Sequence, residues 1–217
     1  RSERAAVYNR YTNTAGDPGY DPAAENEQML LRPLFATAFL IDDLLAEHER
    51  FGASVVVLGS ASSKTAYSTA FLLAQRGDAE VVGLTSPGNV GFVERLGWYD
   101  HVLAYDDIEL LDPEVPTAYV DMSGDAAVRG AVHRHLMDAL THDLMVGMTH
   151  KDDLGGDPDL PGVAPVLFFA PTEALETVKA MGPARFAQSV AGAWGSFIAA
   201  AKGFIRVDHR DGLAAAN

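Results

Sequence analysis

Ser54-Val55-Val56-Val57-Leu58-Gly59-Ser60-Ala61-Ser62-Ser63-Lys64-Thr65-Ala66 is the stretch from which the fold is read. A β-branched apolar run stops at a glycine, and small hydroxylic residues and one lysine follow. Tyr67 to Gln75 then has helical character. Strand, turn and helix in this order place the turn's amides at a helix N-terminus. In open α/β sheets the phosphates of a nucleotide sit against such a turn.

Upstream, residues 1–27 are rich in Pro and Gly and read as an irregular opening segment. Residues 28–49 carry Met29, Leu30, Leu34, Phe35, Ala38, Leu40, Ile41, Leu44 and Leu45 at helical spacing, and Pro33 is expected to split them into two pieces. Downstream, strands and helices alternate. Thr65 to Arg76 reads as a helix closed by Gly77, and Glu80 to Leu84 as the next strand. Ser86-Pro87 reads as the cap and first position of a helix running to Leu96 and ended by Gly97. His101 to Tyr105 and Thr117 to Val120 read as short strands, and Ala126 to Leu140 as an amphipathic helix. Leu144 to Met148 and Val166 to Phe169 are further strands, Ala184 to Ala201 is a long helical region, and Ile205 to Asp208 a late strand. Alternation of this kind implies right-handed crossovers and a parallel sheet. The strands are short and apolar with little alternation, as in a sheet covered on both faces. The expected fold is α/β, a Rossmann-like doubly wound parallel sheet with helices on both faces. It is expected to form one domain, with residues 1–50 packing on a dinucleotide-binding unit of residues 51–217.

The 217 residues are 48% hydrophobic, enough for one domain with a core. A net charge of -14 and a pI of about 4.7 set an acidic surface against phosphodiester backbones, so nucleic acid is not an expected partner. An anionic cofactor then needs a local positive site, for which Lys64 is the candidate. Cysteine is absent, which removes disulfides, thiolate zinc sites and a cysteine nucleophile and suits a cytoplasmic location. No apolar run reaches the roughly 18–20 residues of a membrane span. Arg1-Ser2-Glu3-Arg4 lacks the apolar core of a signal peptide. With no starting methionine, and an end resembling a helix cut short, the chain reads as a piece of a longer one.

The turn is the first candidate site. Gly59 takes backbone shapes that other residues resist. Ser60, Ser62, Ser63 and Thr65 bring hydroxyls, Ala61 is small enough for close approach, and Lys64 adds positive charge. Of a G-x-G-x-x-G fingerprint only the first glycine is here. The competing reading is an ordinary strand-to-helix connection with a Ser/Thr cap. A Walker A loop, with Asp121 as magnesium ligand, fits less well, because the spacing from Gly59 to Lys64 is one residue short. At the second strand's end stand Thr85, Ser86 and Asn89, where an NAD site carries a carboxylate for the ribose 2′-hydroxyl. Neutral groups tolerate a 2′-phosphate, so NADP is expected over NAD. Alternatively, Ser86 serves only as a helix cap.

Three more segments end strands on the same edge: Asp121-Met122-Ser123-Gly124, Gly147-Met148-Thr149-His150-Lys151 and Phe168-Phe169-Ala170-Pro171. Ser123, Gly147 and Thr149 are expected to border the far end of the ligand. His150 is the candidate proton donor, its imidazole titrating near neutrality; the alternative is a loop-ordering hydrogen bond. Tyr105, with Tyr8, Tyr11 and Tyr20, either lines a pocket or packs in the core. His133, His135 and His142 offer no recognisable metal-ligand spacing.

Phe51 to Tyr105 resembles the cofactor domain of medium-chain dehydrogenase/reductases of the quinone oxidoreductase type. The match runs through Val55 to Thr65, Val81 to Thr85, Glu94-Arg95-Leu96-Gly97 and Tyr99-Asp100-His101-Val102-Leu103-Ala104-Tyr105. Asp121-Met122-Ser123-Gly124 and Val146-Gly147 stand where that family has its next two cofactor-lining turns. More closely, Tyr8 to Tyr11, Gln28 to Phe35, Ser60 to Ala66 and Thr149-His150 are similar to motifs of a bacterial family of unknown function, a divergent, N-terminally truncated group akin to those reductases. The resemblance implies an NADP(H)-dependent oxidoreductase, or its cofactor domain, acting by hydride transfer on a carbonyl or an enone. It implies small-molecule cofactor and substrate as partners and a homodimer as assembly. It also implies that the reductases' N-terminal catalytic barrel is missing before Arg1. A non-catalytic nucleotide-binding or scaffold module is the alternative on the same fold.

Overall fold

The computed structural model describes residues 13–17, 19–146 and 160–206. Six strands form a sheet: β1 (Val55–Gly59), β2 (Glu80–Thr85), β3 (His101–Ala104), β4 (Thr117–Asp121), β5 (Leu140–Val146) and β6 (Val166–Phe168). Their spatial order is β3-β2-β1-β4-β5-β6, and every neighbouring pair is parallel. The chain steps outward from β1 to β3, returns to the other side of β1, and steps outward again to β6. Connections therefore leave β1 and β4 in opposite directions, and the carboxyl ends of these two strands mark the switch point over which open α/β sheets take their ligands. The Rossmann-like class expected from the sequence is the class observed.

Helices α1 (Glu25–Glu47), α2 (Lys64–Arg76), α3 (Val90–Leu96), α4 (Ala126–Leu136), α5 (Ala170–Met181) and α6 (Pro183–Ala201) surround the sheet. Successive strand residues point to opposite faces. Val56 and Leu58 of β1 meet Ile41 and Leu45 of α1 and Leu73 of α2 on one face. Val57 meets Val132 and Leu136 of α4 on the other. Outside the first face, Trp194 and Phe197 of α6 pack on Phe35 of α1, with ring centroids 5.4 and 4.9 Å away.

Several sequence expectations are corrected. Helix α1 runs unbroken through Pro33. Pro33 lies on the exposed side, so the carbonyl of Met29, which loses its partner, faces water. On the opposite side Leu31, Phe35 and Ala38 are at most 2% exposed and hold both halves of the helix to the core. The helix expected from Ser86 begins as a 3-10 turn, Pro87–Asn89, and Ser86 makes no cap bond. Helix α4 stops at Leu136 because Met137 turns to a φ of 49°, and burial of Leu140 in the sheet starts β5 there rather than at Leu144. Helix α5 had no counterpart in the sequence reading. It fully buries none of its residues, its half-buried positions include the small or polar Ala170, Ala174 and Thr177, and Leu175 is exposed; Pro171 in its first turn was the available signal. Ile205 is not in a strand: its N–H bonds to the Ala201 carbonyl at 3.0 Å, trailing α6.

Phe197 is fully buried among Phe35, Tyr67, Phe71 and Trp194. Phe197→Ala is expected to lower the unfolding free energy by about 3–5 kcal/mol. Urea unfolding monitored by circular dichroism measures this, and a loss below about 1 kcal/mol would contradict the docking of α6.

Candidate functional site

The turn after β1 is built by interlocking small groups. Gly59 ends the strand directly above Tyr119: a Cβ there would lie 2.7 Å from the Tyr119 hydroxyl and 3.3 Å from Asp121 Oδ1. Ser60 takes a φ of 54°, and its N–H donates to the Tyr105 hydroxyl at 3.2 Å. Ala61 is fully buried. Its N–H bonds to the Leu84 carbonyl at 2.9 Å, and its carbonyl accepts from the Tyr99 hydroxyl at 2.8 Å. The Ala61 methyl occupies the space left by the missing side chain of Gly83 on β2, where a Cβ would come within 2.9 Å of it. Close packing of turn on strand, the task of the fingerprint's later glycines, is thus achieved by Ala61 and Gly83 together. Ser63 caps α2: its Oγ accepts from Ala66 N–H at 3.3 Å. Burial raises the pKa of Tyr105 and lifts that of Tyr99 well above its usual value, so both hydroxyls keep their protons at neutral pH.

Three of these amides, at residues 60, 61 and 63, are engaged inside the protein. Among the described residues no acceptor meets the N–H of Ser62. The N–H groups of Lys64 and Thr65 belong to the first turn of α2, which has no preceding carbonyls to bond. Ser62 Oγ accepts from Asn89 Nδ2 at 3.1 Å and from Thr85 Oγ1 at 3.4 Å. Asn89 Nδ2 also donates to Ser86 Oγ at 3.0 Å. Of the residues proposed from sequence at the ends of β1 and β2, Ser62, Thr85, Ser86 and Asn89 are therefore one hydrogen-bonded cluster. Lys64 is exposed beside it. This donor set, free of carboxylates, fits a phosphorylated ligand.

Across the switch point, Asp121 ends β4 with no solvent exposure. Its Oδ1 accepts from Ser123 N–H (2.8 Å), Ser123 Oγ–H (2.6 Å), Gly124 N–H (3.2 Å) and the Tyr119 hydroxyl (3.3 Å). Its Oδ2 meets the guanidinium of Arg129 on α4. Arg129 Nε lies 3.4 Å from Asp143 Oδ2 on β5, and the same oxygen is 2.8 Å from His133 Nε2. His133 Nδ1 is 2.9 Å from the Pro161 carbonyl. Both ring nitrogens face acceptors, and only the doubly protonated imidazolium donates to both. Burial alone lowers the pKa of His133, but the hydrogen bonds to Asp143 and Pro161 outweigh it and hold the group above its usual value.

Asp121 therefore cannot serve as the magnesium ligand of a Walker-type site, because its oxygens are already committed. The Ser123 hydroxyl is likewise turned to Asp121. His135 Nε2 bonds to the Leu111 carbonyl at 2.7 Å. His142 stacks on Phe51, centroids 3.6 Å apart, and burial lowers its pKa. Gly147, Thr149 and His150, like Tyr8 and Tyr11, lie outside the described residues. Sequence reasoning missed Tyr99, Tyr119, Arg129 and Asp143. A signal was there: an aspartate inside the apolar run of β5 and a basic pair, Arg129 and His133, one helical turn apart on α4.

The family described as "Protein of unknown function (DUF2855)" matches residues 1–217. Among curated proteins none matches. Among solved structures, a protein assigned as an NADPH:quinone reductase from Mesorhizobium loti aligns with a TM-score of 0.56 at 11% identity, over 76% of this chain and 49% of that one. The yhdH oxidoreductase from Salmonella enterica, solved in complex with NADP, aligns at 0.46 and 18% identity, over 76% and 48%. A mutant enoyl thioester reductase from Candida tropicalis aligns at 0.48 and 12% identity, over 81% and 50%. The first likeness supports the fold. The chain spans about half the length of these solved chains.

Two outcomes are expected. Gly83→Ala forces a methyl against Ala61 and Tyr99 and is expected to cost about 1–3 kcal/mol of stability; an unshifted thermal midpoint would contradict the packing. The raised pKa of His133 gives a stabilisation that is complete below the unfolded value of about 6.5 and is lost as pH rises through the higher folded value. Unfolding free energy should therefore decline above pH 6.5, and His133→Asn should flatten that decline. A decline of the same size in the variant would rule out His133 as its source.

Proposed function

We propose that this chain, which belongs to the DUF2855 family, binds NADP(H) over the switch point between β1 and β4. It then acts as the cofactor-binding part of an oxidoreductase for a carbonyl or an activated double bond. The observation that carries this reading is the uncharged hydrogen-bonded cluster of Ser62, Thr85, Ser86 and Asn89, beside the first turn of α2 with Lys64 and Thr65, at the point where strand order reverses. The amides of residues 62, 64 and 65 and the ammonium of Lys64 would hold the pyrophosphate. The hydroxyl of Ser86, whose oxygen is held by Asn89, would donate to the 2′-phosphate, with no carboxylate there to repel it. A bound nicotinamide supplies or accepts a hydride; the chain's own task is to fix its position and exclude water. Residues 51–217 form the cofactor unit in this reading, and the substrate-binding part lies elsewhere in the assembly or the full protein.

A second reading is a nucleotide-binding module without chemistry of its own. It draws support from the inward commitment of the amides at 60, 61 and 63 and of the Ser123 hydroxyl.

A fluorescence titration tests the proposal. NADPH is expected to bind more tightly than NADH. Lys64→Ala should weaken NADPH by roughly five- to tenfold, a loss that shrinks in high salt. If neither dinucleotide binds the unaltered chain, the cofactor assignment is wrong.

A further inference from the structure

We propose that Arg129 is a positioning residue for the second half of the dinucleotide, acting through Asp121; this rests on the cofactor reading above. The sheet has two halves, β1 to β3 and β4 to β6, and such a fold takes one mononucleotide on each. The first half is served by the turn after β1. The corresponding turn of the second half, Ser123-Gly124, is tied to one oxygen of Asp121 by two N–H groups and a hydroxyl. Gly124 takes a φ of 65°, and a Cβ there would meet nothing within 4 Å among the described residues.

The direction of the Asp121 carboxylate decides where that turn sits. Its other oxygen is held by Arg129, and Arg129 reaches a second carboxylate, Asp143, on the next strand. The guanidinium donates to Asp121 and holds its Nε within ion-pair distance of Asp143, without a hydrogen bond there. Asp143 is anchored in turn by His133. All four side chains are at most 6% exposed, so water cannot substitute for any of them. Arg129 itself does not touch the proposed ligand. Its charge also neutralises a carboxylate lying 3.3 Å from where a Gly59 side chain would begin, under the pyrophosphate turn.

Arg129→Lys keeps the charge and removes the fork, so the two carboxylates can no longer both be served. Calorimetric titration of two probes tests the idea: NADPH, which spans both halves, and adenosine 2′,5′-bisphosphate, which needs only the first. Arg129→Lys is expected to weaken NADPH about tenfold and to leave the bisphosphate unchanged. Ser123→Ala removes the hydroxyl from Asp121 without disturbing the buried charges, and should show the same selectivity to a smaller degree. If Arg129→Lys does not fold, a Ser123→Ala chain that binds NADPH as tightly as the unaltered chain still overturns the proposal, because the turn would then not depend on Asp121. Equal weakening of both probes would mean that Arg129 only holds the fold, and no weakening would mean that the turn does not depend on it; either overturns the proposal. Binding of the bisphosphate but not NADPH by the unaltered chain overturns it too. Binding of neither probe removes the cofactor reading itself, which separates the two failures.

Discussion

Four buried ionisable side chains, Asp121, Arg129, Asp143 and His133, bind the second half of this sheet together. Each buried charge carries a desolvation penalty of several kcal/mol that only its neighbours offset. Two carboxylates and two cations balance when His133 is protonated, and its geometry, with an acceptor at each ring nitrogen, requires that state. The constraint is directional as well as electrostatic, because a guanidinium and an imidazolium donate only in their ring planes. Strands β4 and β5, helix α4 and the backbone at Pro161 are thereby fixed relative to one another. Apolar packing between Val132, Leu136 and Leu140 lies alongside but has no comparable directionality.

The first half is ordered by a different means, the absence of side chain. Gly83 admits the Ala61 methyl, Tyr99 holds the Ala61 carbonyl, and Tyr105 holds the Ser60 amide. Ser60 in a left-handed conformation costs about 1–2 kcal/mol, and these contacts keep it there without a second glycine. The two halves meet at Gly59, which must lack a side chain because the Tyr119 hydroxyl lies beneath it. Tyr119 also donates to Asp121, so one phenol links the bend of the first half to the charge network of the second.

What was legible in the sequence was local. Strand β1, the capped start of α2 at Ser63 and its end at Gly77 follow from neighbouring residues, and the clustering of Ser62, Thr85, Ser86 and Asn89 follows from β1 and β2 being adjacent and parallel. Pro33 misled because its effect depends on which side of the helix faces water, a tertiary fact. Helix α5 escaped because the positions it covers include small or polar ones, Ala170, Ala174 and Thr177, while Leu175 faces solvent. The buried charges were harder still: Asp121, Asp143 and the α4 pair are brought together only by strand order, and a lone histidine in a helix reads the same whether it meets solvent or a carboxylate.

The acidity of the chain bears directly on an anionic ligand. A net charge of -14 opposes the approach of a dinucleotide, yet the buried quartet adds no net field beneath the switch point while His133 holds its proton. Lys64 sits in the first turn of α2, where the helix dipole has the same sign as its ammonium. At physiological ionic strength exposed charges farther than about 8 Å are largely screened. In the proposed reading the remote carboxylates would act mainly on the encounter at low salt, and the bound state would be decided by the donors of residues 62–65. An acidic protein with balanced charges at the switch point can in this way hold a polyanion, provided that the balance under Gly59 stays intact.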